Sequence, residues 1–189
     1  FWFDSKSGNM IKLKYKAVIF DFDDTLVKTR LIKWEHHKAV AKKFYNIDLT
    51  EEKLREHWGK PFATMIGHLY QDSDTPENMM ESVLSLKHEF LKTVYPESVR
   101  VVTELLNHDI KVGIVSATNK EFIIDDMTRL GFPVEHLTTI QGADDTTVHK
   151  PDPDVFLPTF EHLEKLGIKK SKMVYIGDSM DDFRAARGA

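Results

Sequence analysis

The chain has 189 residues, is 41% apolar and 30% charged, and contains no cysteine. Disulfide bonds, thiolate metal sites and cysteine nucleophiles are therefore excluded, and we expect a cytoplasmic location because the chain needs no oxidising compartment. The net charge of −4 gives no reason to expect a nucleic acid or an anionic membrane as partner. No apolar stretch approaches the ~20 residues of a membrane span.

Residues 1–15 are interpreted as a leader or a remnant of a neighbouring segment, outside the fold. They are too polar for a signal peptide, and the first methionine is Met10. We predict that the rest divides into an α/β core of residues 16–27 and 96–189 and a cap of residues 28–95.

Four short apolar segments are predicted to be buried strands: Ala17–Phe20, Val112–Val115, Leu137–Ile140 and Met173–Ile176. Helical patterns lie between them, and this alternation predicts an α/β fold with a doubly wound parallel sheet. Ligands of such sheets bind beyond the carboxyl ends of the strands, where three of these four lead into polar residues.

No strand is expected from Lys28 to about Tyr95. We predict four helices there, at Ile32–Tyr45, Glu51–Trp58, Phe62–Tyr70 and Pro76–Val94, with Thr50 and Thr75 as N-caps of the second and fourth. Four helices are too many for one crossover, so they are interpreted as an all-helical cap domain. Its packed interior is predicted to contain Trp34, Phe44, Met65, Ile66, Leu69, Leu84 and Leu91.

Two aspartates, Asp21 and Asp23, stand one residue apart where the first predicted strand ends. Burying carboxylates there is costly unless they are paired or bound to a metal. A carboxylate of ordinary pKa is ionised at neutral pH, so Asp21 can act as a nucleophile on a phosphoryl group neutralised by Mg²⁺. Asp23 can then exchange a proton with the leaving oxygen and with water. In the structural alternative, Asp21 caps a helix and Asp23 is solvated.

Ser116 and Lys150 follow later in the chain and could complete such a site. The Ser116 hydroxyl can donate to a phosphoryl oxygen, as can backbone amides where the next helix begins, at Asn119. Lys150 lies in a loop stiffened by Pro151 and Pro153, which suits a cation that orients Asp21 and offsets phosphoryl charge. A turn-forming serine and a solvated lysine are the structural alternatives.

Asp178 and Asp182 follow the fourth predicted strand, with Asp178 directly after Gly177. Oxygen ligands from two strand ends suit Mg²⁺, so Asp21 and Asp178 are predicted to share one ion. Asp182 stands one turn along the next helix, where it could hold a metal-bound water. A plain acidic turn is the alternative.

The ordered set of four motifs resembles the haloacid dehalogenase superfamily over Lys16 to Ala189. The matching residues are Asp21-Phe22-Asp23-Asp24-Thr25-Leu26, then Ser116, then Lys150, then Asp178 and Asp182. Asp24 stands where many members have Gly. The helical insert, Ser116-Ala117-Thr118 and the Lys150-Pro151 segment are similar to the subgroup that includes phosphoglycolate phosphatase and β-phosphoglucomutase.

This resemblance implies a Rossmann-like core and particular residue roles. Asp21, Asp23, Ser116 and Lys150 would be catalytic, with Asp21 phosphorylated and Asp23 as acid and base. Mg²⁺ would be held by Asp21, the backbone carbonyl of Asp23, and Asp178, with Asp182 beside it. The substrate would contact Ser116, Ala117, Thr118, Asn119 and Lys60, the last in the Gly59-Lys60-Pro61 turn of the cap. That turn is equally compatible with a simple interhelical connection.

We therefore expect a Mg²⁺-dependent phosphatase that acts on a small phosphorylated metabolite through an aspartyl-phosphate. The alternatives are a phosphosugar mutase of the same fold, phosphonate hydrolysis through a Schiff base on a cap lysine, and a non-catalytic binding protein. Because Asp23 is present, the resemblance favours phosphoryl transfer over dehalogenation; the dehalogenases lack an aspartate there.

Overall fold

The computed structural model describes residues 14–58 and 62–189. They form two compact units, one of which runs to Leu26 and resumes at Pro96, while the other is Val27–Tyr95. The strands are β1 (Ala17–Phe20), β2 (Val27–Lys28), β3 (Thr93–Val94), β4 (Lys111–Val115), β5 (Thr139–Gln141) and β6 (Met173–Ile176). The helices are α1 (Arg30–Tyr45), α2 (Glu51–His57), α3 (Phe62–Tyr70), α4 (Pro76–Ser85), α5 (Ser98–Asn107), α6 (Lys120–Arg129), α7 (Leu157–Lys165) and α8 (Met180–Gly188).

The first unit is built on a four-stranded sheet in the order β5-β4-β1-β6, and all neighbouring strands are parallel. This confirms the predicted doubly wound α/β core. The third predicted strand, Leu137–Ile140, was misplaced: β5 starts at Thr139. The reason is a 3₁₀ turn at Val134–His136, which ends with the Leu137 nitrogen donating to the Val134 carbonyl.

The central strand β1 is apolar along its whole length because both of its faces are covered. Its four residues are all buried. Ala17 and Ile19 belong to a core cluster that also contains Phe156, Leu163 and Ala185, from the segments on one face of the sheet. Full burial of a large apolar side chain contributes about 1.5–3 kcal/mol, so this contact fixes the sheet against α7 and α8.

The second unit contains the four predicted cap helices. Thr50 and Thr75 cap α2 and α4, and their side chains accept from the backbone nitrogens of Lys53 and Asn78 at 3.3 Å. Two expectations were wrong. The unit is not all-helical, because Val27 and Lys28 pair with β3 in a short antiparallel ladder. The fourth helix ends at Ser85 instead of Val94, and a 3₁₀ turn at Lys87–Glu89 follows.

Three of the residues predicted for the cap interior are exposed instead. Trp34, Met65, Ile66 and Leu69 are buried as predicted. Leu84 and Leu91, however, are 51% and 46% exposed, and Phe44 is 42% exposed. The buried stripe of the fourth helix runs through Met79, Val83 and Leu86 instead. Leu84 is one residue off that stripe, and Leu91 lies beyond the helix altogether.

Within the described ranges 14–58 and 62–189, no helix has both the length and the apolar character needed to cross a lipid bilayer. The cytoplasmic location, the leader assignment and the predicted domain boundaries stay predictions.

Candidate active site

Asp21 lies at the carboxyl end of the central strand and is buried. Its backbone nitrogen donates to the Ile176 carbonyl at 2.8 Å, which ties the end of β1 to the end of β6. Three positions further on, the chain turns sharply at Asp24, whose φ is +60°. Aspartate is among the few residues other than glycine that adopt this left-handed conformation readily, which explains why Asp24 is accommodated there.

Lys150 joins two buried carboxylates. Its Nζ donates to Oδ1 of Asp21 and to Oδ1 of Asp182, both at 2.7 Å. The side chains of Lys150 and Asp21 are each 9% exposed, and that of Asp182 is 5% exposed. An ammonium carries three N–H donors, so two are used here and the third is left for a further acceptor, such as a phosphoryl oxygen. The structure thus brings the predicted Asp21, Lys150 and Asp182 together.

Asp182 accepts hydrogen bonds on both carboxylate oxygens. Oδ1 accepts from Lys150 and from the Tyr175 hydroxyl at 2.7 Å, while Oδ2 accepts from the Ser179 nitrogen and hydroxyl at 3.0 and 2.6 Å. The Ser179 pair is a capping box that begins α8. Burial by itself would raise the pKa of Asp182, but these hydrogen bonds outweigh it and hold the pKa below its ordinary value. Asp182 is therefore a fixed anion that holds Lys150.

The electrostatics of Asp21 differ from those of Asp182. Burial raises the pKa of the Asp21 carboxyl to about 6; the Lys150 ammonium opposes this shift, and the carboxylates of Asp182 and Asp23 add to it. At neutral pH Asp21 is still mostly ionised, as expected of a nucleophile. Its negative charge is nevertheless incompletely balanced by the protein, which favours binding of a cation.

Thr118 makes hydrogen bonds to both Asp23 and Ser116. The Thr118 hydroxyl donates to Oδ2 of Asp23 at 2.6 Å, which connects the loop after β1 to the loop after β4. The Thr118 nitrogen donates to the Ser116 hydroxyl oxygen at 3.1 Å. Because Ser116 accepts there, its own hydroxyl proton is left to donate to a ligand. Ser116 itself is buried, and its nitrogen donates to the Gln141 carbonyl at 3.1 Å.

The start of α6 is capped by a side chain from another loop. Asn119 stands at the N-cap but makes no capping hydrogen bond with its side chain. The Lys120 nitrogen instead donates to Oδ1 of Asp144 at 2.8 Å. Gly142 makes this approach feasible, because a Cβ there would collide with the Lys120 nitrogen. Ala117 and Asn119 are the neighbours of Thr118 in this loop, and their contact with substrate stays a prediction.

Three carboxylates gather where a metal ion was predicted. One carboxylate oxygen from each of Asp21, Asp178 and Asp182 lies within 4.8 Å of the other two. An all-oxygen donor set of this kind fits Mg²⁺, and Asp178 is the exposed member. The metal roles of all three, and of Asp23, stay predictions.

Tyr175 was missed by the sequence analysis, and Lys60 cannot be placed. Tyr175 occupies the third position of β6, where its residue type indicates only a strand. Its hydroxyl nevertheless reaches Asp182, and Lys150 Nζ lies 5.3 Å from its ring centroid. The sequence does carry a signal for Ser179, because a serine three residues before Asp182 predicts a capping box. Lys60 lies outside the described residues, so its contact with substrate stays a prediction.

Known proteins resemble this chain over most of its length. The pyrophosphatase PpaX of Oceanobacillus iheyensis is 26% identical over 181 residues, which cover 94% of this chain and 81% of that protein. The N-acetylmuramic acid 6-phosphate phosphatase of Pseudomonas aeruginosa is 30% identical over 194 residues, with 95% and 80% covered. A Thermotoga maritima crystal structure, assigned as a β-phosphoglucomutase, superposes with a TM-score of 0.77 at 27% identity, covering 92% and 81%.

A family model matches the part of the chain that carries the four motifs. The model described as haloacid dehalogenase-like hydrolase matches residues 18–189, which include the ends of β1, β4 and β6 and the Lys150 loop. The resemblance inferred from the four motifs is thereby confirmed, and so is the expectation of an enzyme. The chain belongs to the haloacid dehalogenase-like hydrolases.

Proposed function

We propose that this protein is a Mg²⁺-dependent phosphatase that hydrolyses a small phosphorylated metabolite through an aspartyl-phosphate on Asp21. The observation that carries the proposal is the Lys150 ammonium, held at 2.7 Å from both Asp21 and Asp182. A buried cation in this place orients the nucleophile and still has a donor for a phosphoryl oxygen. The names of two relatives, a pyrophosphatase and an N-acetylmuramic acid 6-phosphate phosphatase, support hydrolysis of a phosphorylated substrate.

In the first step, an Asp21 carboxylate oxygen attacks phosphorus, and the bond from phosphorus to the leaving oxygen breaks. Asp23 gives a proton to that oxygen, so the dephosphorylated metabolite leaves as an alcohol. The hydrogen bond from Thr118 holds the Asp23 carboxyl in a defined orientation. Ser116 and Lys150 donate to the phosphoryl oxygens and stabilise the charge that develops on them.

In the second step, water attacks the phosphorus of the aspartyl-phosphate. Asp23, now ionised, accepts a proton from the water, and the bond from phosphorus to the Asp21 oxygen breaks. Inorganic phosphate leaves, and both aspartates return to their starting protonation states.

The carboxylates of Asp21 and Asp178, together with the backbone carbonyl of Asp23, would hold Mg²⁺. Bound Mg²⁺ supplies positive charge to the phosphoryl oxygens.

A phosphate-release assay over a panel of phosphorylated metabolites tests this function. We expect inorganic phosphate to be released with Mg²⁺, to fall to background in EDTA, and to return when Mg²⁺ is restored. The phosphosugar mutase is the alternative, because one solved structure of similar fold is assigned that activity. Isomerised sugar phosphate without phosphate release would favour the mutase, and undiminished activity in EDTA would contradict the metal dependence.

Magnesium binding should weaken in acid. Burial raises the pKa of Asp21 to about 6, so protons and Mg²⁺ compete for this carboxylate below that pH. We expect the dissociation constant for Mg²⁺ to change little from pH 8 to 7 and to rise by up to about tenfold per pH unit below 6. Isothermal titration calorimetry with Mg²⁺ alone measures this without any substrate.

The raised pKa of Asp21 also predicts how the stability of the metal-free protein changes with pH. Because the pKa of Asp21 is higher in the folded protein than its ordinary 3.8, the metal-free fold binds more protons between pH 4 and 6 and loses stability as pH rises through that window. The Asp21→Asn variant is the control and should lack this contribution. Equal Mg²⁺ affinity of the wild type at pH 5 and 7 would contradict the predicted competition between protons and Mg²⁺ for Asp21.

A further inference from the structure

Tyr175 contacts the group that holds the proposed catalytic lysine. Its hydroxyl donates to Oδ1 of Asp182 at 2.7 Å, and Lys150 Nζ donates to that same oxygen at 2.7 Å. The hydroxyl also lies 3.4 Å from the Val115 carbonyl at the end of β4. A tyrosine has one hydroxyl proton, and the shorter bond to a charged acceptor is the stronger of the two. Tyr175 and Lys150 therefore share one carboxylate oxygen.

The ring of Tyr175 is fixed by packing, so its hydroxyl has a defined position. The Phe156 ring, which is 1% exposed, meets it edge to face at a centroid distance of 4.8 Å. Lys150 Nζ lies 5.3 Å from its centroid, within the range of a cation–π contact. The tyrosine therefore touches Lys150 directly through its ring and indirectly through Asp182.

We infer that Tyr175 is a positioning residue that limits how strongly Asp182 holds Lys150, so that Lys150 stays available to Asp21 and the phosphoryl group. A hydroxyl that donates to Oδ1 satisfies part of the charge of that oxygen and weakens its attraction for the ammonium. Without the hydroxyl, Asp182 competes better for Lys150. We draw this inference on top of the proposed phosphatase function, since Lys150 acts there on Asp21.

The test is the Tyr175→Phe variant, which keeps the ring and removes only the hydroxyl. We expect kcat for p-nitrophenyl phosphate with Mg²⁺ to fall about tenfold, because Asp182 then holds Lys150 more strongly and Lys150 is less available to Asp21 and the phosphoryl group. KM should change less than about threefold, since the substrate does not contact this hydroxyl. The matched control is Tyr45→Phe in the cap, which loses a hydrogen bond of 3.0 Å to Ser82 and should keep the wild-type kcat.

A double-mutant cycle separates the proposed route from a general packing effect. If Tyr175 acts through Asp182, adding Tyr175→Phe to an Asp182→Asn protein should lower kcat by less than about twofold. The same tenfold loss in both backgrounds would overturn the inference, as would wild-type kcat in the single variant. A Tyr175→Phe protein that loses its fold would also overturn it, because the hydroxyl would then be needed for stability and not for positioning.

The Asp21→Asn variant distinguishes this inference from the proposed function. Phosphatase activity that survives in Asp21→Asn would remove the proposed function itself. Activity that is lost in Asp21→Asn but unchanged in Tyr175→Phe would remove only the role of Tyr175.

Discussion

The Asp21→Asn variant should lose about four or more orders of magnitude of phosphatase turnover while it keeps its fold. The asparagine amide cannot form the covalent phosphate, so the variant lacks the nucleophile. The loss should therefore appear in kcat with every substrate. Steady-state assays of phosphate release, with Mg²⁺ at saturation, measure it. The matched control is Asp181→Asn, which changes an exposed carboxylate beside Asp182 at the start of α8 and should keep activity.

The Asp21→Asn variant should be at least as stable as the wild type, although it loses turnover. Burial raises the pKa of Asp21 from 3.8 to about 6, so the ionised carboxylate costs the metal-free fold up to about 3 kcal/mol at pH 7. Asparagine carries no such cost. We therefore expect its thermal midpoint without Mg²⁺ to equal or exceed that of the wild type. Near wild-type turnover would contradict the assignment of Asp21 as the nucleophile, and a lower thermal midpoint than that of the wild type would contradict the stability expectation.

The Lys150→Met variant should lose about two to three orders of magnitude of turnover at pH 7. The Asp21 and Asp182 side chains are 9% and 5% exposed, and this substitution removes their shared cation. Because Lys150 lowers the pKa of Asp21, its loss should raise that pKa further and protonate the nucleophile. Turnover should then recover in part above pH 8, which a pH profile of kcat would show.

The same variant should also be less stable, by on the order of 3 kcal/mol, since a buried carboxylate pair is left without its partner. Denaturant unfolding at pH 7 measures this loss. Lys170→Met is the control, because Lys170 is an exposed lysine of the same unit whose Nζ lies over the Phe160 ring. A Lys150→Met protein with an unchanged pH profile would show that Lys150 does not act on Asp21.

The sheet and the grouping of Asp21, Lys150, Asp178 and Asp182 were predictable from the sequence for one physical reason. In an apolar segment that ends in polar residues, the apolar residues are buried in the sheet and the polar residues lie beyond it. Parallel strands then bring these polar ends to one edge of the sheet. The order of the motifs then placed Asp21 and Asp178 just after particular strands, while Lys150 was assigned to a proline-stiffened loop and Asp182 to the first turn of a helix. This logic needs only local pattern and topology, both of which the sequence carries.

Features that depend on side-chain geometry were not predictable in this way. Nothing in the sequence near Tyr175 indicates that its hydroxyl reaches an oxygen seven residues later, because strand twist and helix direction decide that contact. The end of α4 at Ser85 was missed because an apolar pattern continues past it. The Val27–Lys28 pairing with β3 was missed because a two-residue strand gives no periodicity.

The most direct measurement is to quench the enzyme with acid during turnover and search for covalently bound phosphate by mass spectrometry. The account predicts one phosphoryl group on Asp21, which is released by hydroxylamine as an acyl phosphate is, and which is absent from Asp21→Asn. Phosphate on another residue, or rapid turnover by the Asp21→Asn variant, would contradict the assignment of Asp21 as the nucleophile.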